Sequence, residues 1–191
     1  MTINAAPLAA ILVAAVMLSS CATTAEPAPS TSSTASTSTT SAPAPTSLGD
    51  PLADLPGYTV RSIAPVDVYP TFDGPGFESQ FAEVTAGVVN RGGSAVLRVV
   101  VGRLDSDGGE DIVGAFLADL SDRMAQSDPP RTVATGAEQL GGRPVTAFYV
   151  PLGLEGYTYV HGSTVAIAIG AGGFEQEASR DAFTKILAKL P

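Results

Sequence analysis

Apolar and polar residues follow three different patterns along the chain. Residues 8–18 are consecutive apolar residues, and residues 22–47 consist of Ala, Ser, Thr and Pro except for Glu26. From residue 48 onward, apolar positions recur every two residues in some segments and every three or four in others. These two spacings are typical of strands and of amphipathic helices. The pattern therefore predicts a short apolar segment, a spacer and a single folded domain over residues 48–191.

The segments with alternating residues predict seven strands. The first is predicted over residues 58–69, where Val66, Asp67 and Val68 alternate. The next two form a hairpin of Phe81–Val89 and Ala95–Leu104 around a Gly-containing turn. Four more are predicted later in the chain: Thr132–Gln139, Pro144–Val150, Tyr157–Val160 and Thr164–Ile169.

Two segments predict helices. The first has one apolar stripe, which is made of Ile112, Val113, Phe116, Leu117, Leu120 and Met124. Asp107 is placed to cap this helix, with Glu110 completing a capping-box pattern, and Asp128-Pro129-Pro130 ends it. The second helix is predicted over Gln176–Leu190, with acidic residues early and basic residues late, which suits the helix dipole.

The predicted order, βββ-α-ββββ-α, indicates an α+β fold. We expect a mostly antiparallel sheet with one or two helices packed on it. In the last strand, Ala166 and Ala168 alternate with larger apolar residues. One face of that strand is therefore small, and a helix is expected to approach it closely.

Charge separates the domain from the segments before it. The chain has 10 basic and 19 acidic side chains, and only Glu26 among them precedes residue 48. The domain holds 18 acidic and all 10 basic side chains, a net charge of −8. Nucleic-acid binding depends on basic patches that neutralise phosphates, so this balance argues against it.

The apolar segment is followed by Leu18-Ser19-Ser20-Cys21, which contains the single cysteine of the chain. Eleven apolar residues are too few to span a bilayer but fit the hydrophobic region of a signal peptide. The four residues resemble the lipobox of bacterial lipoproteins: an aliphatic residue, two small residues and a cysteine. The resemblance implies that residues 1–20 are a signal peptide and that Cys21 carries the lipid. The alternative is a buried structural cysteine, but the residues around Cys21 show no pattern that predicts a core to bury it.

The spacer, residues 21–47, is predicted to be a disordered tether. It cannot bury enough apolar surface to offset the entropy of ordering. As a flexible coil it would span about 30 Å. Its Ser/Thr tract suits either O-glycosylation or an unmodified spacer. The composition and the order of segments resemble actinobacterial lipoproteins, including mycobacterial-type lipoproteins with a PsbP-like fold, which implies attachment to the outer face of the cell membrane.

The domain contains few residues suited to catalysis or metal binding. His161 is its only histidine and lies in a predicted turn, so motifs that need two histidines are excluded. The domain has no cysteine, which excludes thiol catalysis. The acidic segment Asp105–Asp111 departs from a calcium-binding EF-hand at several positions and is interpreted as an acid-rich helix start, with a weak divalent-ion site as the alternative. We expect no cofactor and no metal.

An aromatic loop is the candidate contact surface. Tyr69, Phe72 and Phe77 lie among Pro and Gly residues that would stiffen it. Such a loop is either a recognition surface or a loop pinned to the sheet by its own rings.

These observations together predict a membrane-anchored, extracytoplasmic, non-catalytic binding protein. Its expected partners are the membrane, through lipidated Cys21, and an envelope protein. The alternative is a carrier of a lipid or another apolar small ligand, and an enzyme is the least favoured class.

Overall fold

The computed structural model describes residues 47–72, 75–151, 153–171 and 175–191. These residues belong to one compact unit over residues 43–191. The predicted signal peptide and nearly all of the tether, including Cys21, lie outside the described residues.

Within these residues, seven strands form one sheet in the order β1-β2-β3-β7-β6-β5-β4. Every neighbouring pair is antiparallel. The strands are β1 (Thr59–Ser62), β2 (Phe81–Arg91), β3 (Ser94–Leu104), β4 (Ala134–Leu140), β5 (Arg143–Val150), β6 (Leu154–His161) and β7 (Thr164–Ala171). Pairing of β3 with β7 joins the first hairpin to the later four strands. The predicted α+β class is confirmed.

Helices cover both faces of the sheet. The short helix α1 (Pro75–Glu78) precedes β2, α2 (Gly109–Ala125) packs on one face and α3 (Gln176–Leu187) packs on the other. Two apolar cores result, one under each long helix. None of the described helices has both the length and the apolar character needed to span a bilayer.

Strand β7 explains why one sheet can carry a helix on each face. Ala166 and Ala168 are fully buried in the core under α3, whereas Val165 and Ile167 are buried in the core under α2. The small side chains let α3 lie close to the backbone of the sheet, and the larger ones fill the space under α2. The alternation predicted for this strand is confirmed.

Two sequence predictions about local structure are wrong. The first strand ends at Ser62 instead of continuing to residue 69, and 3₁₀ turns at Pro65–Asp67 and Pro70–Phe72 follow it. Proline lacks the N–H that a strand ladder requires, so the two prolines favour turns. Asp107 does not cap α2: the cap residue is Gly108, with φ of 153°, a backbone conformation that favours glycine.

The segment before β1 packs on the α3 face of the sheet. Leu48, Leu52 and Leu55 are buried in the core under α3. The backbone N–H of Leu48 donates to the carboxylate of Glu83, at 2.6 Å, and Glu83 also pairs with Arg103. The chain therefore joins the domain beside the beginning of β2 and the end of β3.

Candidate functional site

The predicted aromatic loop lies on the α2 face of the sheet. Its 3₁₀ turn places Phe72 against α2, and α1 brings Phe77 next to it. The rings of Phe72 and Phe77 stack, with centroids 4.5 Å apart. The ring of Tyr69 meets Phe116 of α2 edge-on at 5.0 Å. Tyr69 and Phe72 are buried, whereas Phe77 is half-buried.

A hydrogen-bond chain fastens this loop to α2. The hydroxyl of Tyr69 donates to the carboxylate of Asp119, at 2.9 Å, and Arg123 pairs with the same carboxylate at 2.7 Å. Burial, and then this hydrogen bond, raise the pKa of Tyr69, so the hydroxyl keeps its proton and remains a donor. The hydrogen bond from Arg123 holds the pKa of Asp119 below its ordinary value. These hydrogen bonds among Tyr69, Asp119 and Arg123 therefore fix the position of the loop on α2.

A groove of about 550 Å³ runs between the loop and α2. Its apolar lining consists of Phe72, Phe77, Ile112, Ala115 and Phe116. Thr71, Gln80, Asp111 and Asp119 complete the lining. Binding pockets for small molecules commonly have volumes of about 300–1,000 Å³. The groove is therefore large enough for a lipid chain segment or for one or two apolar side chains of a partner.

The three aromatic residues singled out from the sequence come together at this groove, in different roles. Phe72 and Phe77 line it, whereas Tyr69 does not line it and is hydrogen-bonded to Asp119, which does. Contact with a partner at these residues stays a prediction. The sequence did not identify Ala115, which lines the groove from α2. Its spacing of three residues from Ile112 is the signal that places both on one side of the helix.

Of the other candidate residues, Asp111 of the acidic segment lines the groove, whereas His161 lies apart from it. His161 is exposed at the end of β6, with its ring 6.4 Å from that of Tyr159. Residues of the acidic segment include Glu110 and Asp111 in the first turn of α2. Among the residues that the structure describes, no group of three His, Cys, Asp or Glu side chains is placed to hold a metal ion.

Comparisons with known proteins gave no match, whether with protein-family models, curated proteins or solved structures. The function proposed below therefore depends on the residues and geometry of this chain.

Proposed function

We propose that this chain is a lipid-anchored, extracytoplasmic, non-catalytic binding protein. The lipobox-like Leu18-Ser19-Ser20-Cys21 after an apolar run of signal-peptide length supports the anchor. Two or more acyl chains hold a protein stably at a membrane, whereas a single chain gives marginal binding. The tether of residues 22–47 gives the domain reach above the membrane surface.

The anchor is tested by replacing the cysteine in the full chain expressed in an actinobacterial host. Wild-type protein is expected in the membrane fraction, with a diacylglyceryl group on Cys21 in the mass spectrum of the mature N-terminus. The Cys21→Ser variant should leave the membrane fraction, while the control Thr24→Ala should stay. An N-terminus without lipid, or a Cys21→Ser variant that remains in the membrane fraction, contradicts the proposal.

The groove beside α2 is the proposed binding surface, and apolar side chains of an envelope protein are its proposed occupant. The observation that supports this assignment is the apolar lining of a groove of about 550 Å³, to which the stacked rings of Phe72 and Phe77 contribute. The hydrogen bond from Tyr69 to Asp119 holds the loop that carries Phe72 against α2.

A photo-crosslinker placed at residue 77 tests this surface in intact cells. We expect one envelope protein to be captured, and we expect Ala115→Trp, which fills the groove, to abolish the capture. Ala118→Trp is the matched control, because Ala118 is also exposed on α2 but does not line the groove. Absence of a crosslinked protein, or capture that survives Ala115→Trp, overturns the assignment.

The apolar lining also favours a second function, that of a carrier of a lipid or another apolar ligand. In that function the groove holds a hydrocarbon chain. Organic extraction of the purified full chain, followed by mass spectrometry, would detect a bound lipid beyond the covalent anchor. That lipid should be absent from the Ala115→Trp variant and present in Ala118→Trp.

A further inference from the structure

A second hollow, of about 380 Å³, lies on the opposite face of the sheet, beside the N-terminal end of α3. Its floor is formed by small residues of β4 and β5: Ala134, Gly136 and Ala147. A Cβ atom built on Gly136 would have no atom within 4 Å. The missing side chain at this position therefore contributes directly to the open space.

A buried carboxyl group lines this hollow. Glu155 of β6 is only 5% exposed, and its Oε1 atom is buried without a hydrogen-bond partner. A buried polar atom without a partner normally destabilises a fold, so such atoms are rare and need an explanation. Burial, and then the negative charge of Glu138, raise the pKa of the Glu155 carboxyl.

Among the described residues, one cationic side chain lines the hollow, and it is already paired. Arg180 of α3 forms a salt bridge with Glu138 of β4. The charges of these two side chains cancel, and ionised Glu155 then leaves one uncompensated negative charge. A ligand that places one positive charge in the hollow would balance it. A metal ion fits less well, because two carboxyl groups are too few for a cation site of the usual kind.

Two tyrosines line the hollow together with this carboxyl group. Tyr149 is the direct cross-strand neighbour of Glu155 and is 50% exposed at the rim of the hollow. Tyr157, which lies two residues after Glu155 on the same face of β6, also lines it. Aromatic faces attract organic cations, and they pack well against the methylene groups beside a charged nitrogen.

We infer that this hollow binds a primary ammonium group on an aliphatic stem. The ammonium nitrogen donates hydrogen bonds to the carboxylate of Glu155, and the stem lies against Tyr149. Both a free alkyl diamine and the lysine side chain of a partner protein carry this chemistry. The site is separate from the groove beside α2, so it stands or falls independently of the function proposed above.

Titration calorimetry of the purified full chain with 1,5-diaminopentane tests the inference, with 1-pentanol as the uncharged probe. The diamine is expected to bind and the alcohol is not. Glu155→Gln should weaken binding by at least about tenfold, because a charge-assisted hydrogen bond is lost. Gly136→Leu should abolish binding by filling the hollow. The control Glu177→Gln, an exposed position of α3 outside the hollow, should bind like the wild type.

The dependence on pH gives a second readout. Affinity of the wild type should rise with pH as Glu155 loses its proton, because the amine remains charged throughout that range. The other titratable groups around Glu155 are Glu138 from β4, Tyr149 from β5, Tyr157 from β6 and Arg180 from α3. In Glu155→Gln this dependence on pH should be much weaker than in the wild type.

The source of the ammonium group is resolved by comparing probes of similar length. Tighter binding of a blocked lysine residue, Nα-acetyl-lysine methylamide, than of 1,5-diaminopentane points to a partner's lysine, and the reverse points to a free diamine. The inference is overturned if neither amine binds, if the alcohol binds equally well, or if Glu155→Gln binds the diamine with unchanged affinity.

Discussion

Replacement of Gly156 by alanine tests how tightly the middle of the sheet is packed. Gly156 lies in β6 opposite Phe148 of β5. An added Cβ would lie 2.1 Å from the carbonyl oxygen of Ala168 in β7 and 2.3 Å from Cζ of the Phe148 ring. Both neighbours are constrained, because one is backbone of a central strand and the other is a fully buried ring.

The size of the effect follows from these distances. Real Cβ contacts essentially never fall below 3.0 Å, so either the strands or the ring must move. Overpacking in a core usually costs about 1–3 kcal/mol, and two rigid neighbours place Gly156→Ala at the upper end, about 3 kcal/mol. In a domain of this size that corresponds to a fall of roughly 6–12 °C in the midpoint of thermal unfolding.

Gly136→Ala provides the matched control. Gly136 lies in the edge strand β4, and an added Cβ meets no atom within 4 Å. Alanine is favoured over glycine inside a strand by roughly 0.5–1 kcal/mol, so this variant should be as stable as the wild type or slightly more stable. Thermal unfolding followed by circular dichroism compares the two variants. Equal stability of Gly156→Ala and Gly136→Ala would refute the packing argument.

Three further predictions concern polar contacts. Ser179→Ala removes the hydrogen bond of 2.6 Å to the carbonyl of Val96 at a fully buried site, and should lower the free energy of unfolding in urea by about 1–3 kcal/mol. Arg143→Met removes the guanidinium that donates to backbone oxygens of the last two residues, so faster carboxypeptidase digestion of the C-terminus is expected; an unchanged rate would contradict that contact. The hydrogen bond from Lys185, and then that from Tyr58, hold the pKa of Asp181 below its ordinary value of 3.8. The Asp181–Lys185 pair therefore stabilises the fold above pH 3.8. This stabilisation is lost as the pH falls through the lower pKa that Asp181 has in the folded protein. NMR titration of Asp181 should therefore show a higher pKa in Lys185→Met, and an unchanged pKa would show that the pair does not form in solution.

Strand β7 illustrates what the sequence could predict. Ala166, Ile167 and Ala168 occupy alternate faces of any extended segment, so their sizes alone predict which face accepts a close helix. The structure adds only which helix lies on each face. Where the pattern was short, prediction failed: three alternating residues, 66–68, indicated a strand, but the neighbouring Pro65 and Pro70 favoured 3₁₀ turns.

The hollow at Glu155 could not have been predicted from the sequence. Glu155 precedes the strand predicted at Tyr157–Val160 and looks like an exposed turn residue, and the residues of α3 that line the hollow with it, Gln176 and Arg180, are distant in sequence. The open space depends on the register that aligns Gly136 with Ala147 across two strands. Neither the position of α3 nor the register of these strands can be recognised from the residues that neighbour Glu155 in the sequence. The same holds for the groove beside α2, where sequence indicated the aromatic rings but not the surface of α2 that faces them.

The two ends of the sheet lie at different distances from the point where the chain joins the domain. We call the end beside Leu48 the near pole and the opposite end the far pole. Leu48 is fastened to Glu83, next to Arg103 at the end of β3. The hollow lies at the other end of the strands, where Glu155 is aligned through β7 with Leu97 at the start of β3. The six residue-to-residue steps of β3 from Leu97 to Arg103 separate the poles by about 20 Å. The proposed anchor precedes residue 47 and would therefore attach to the near pole, and the proposed ammonium site would lie at the far pole.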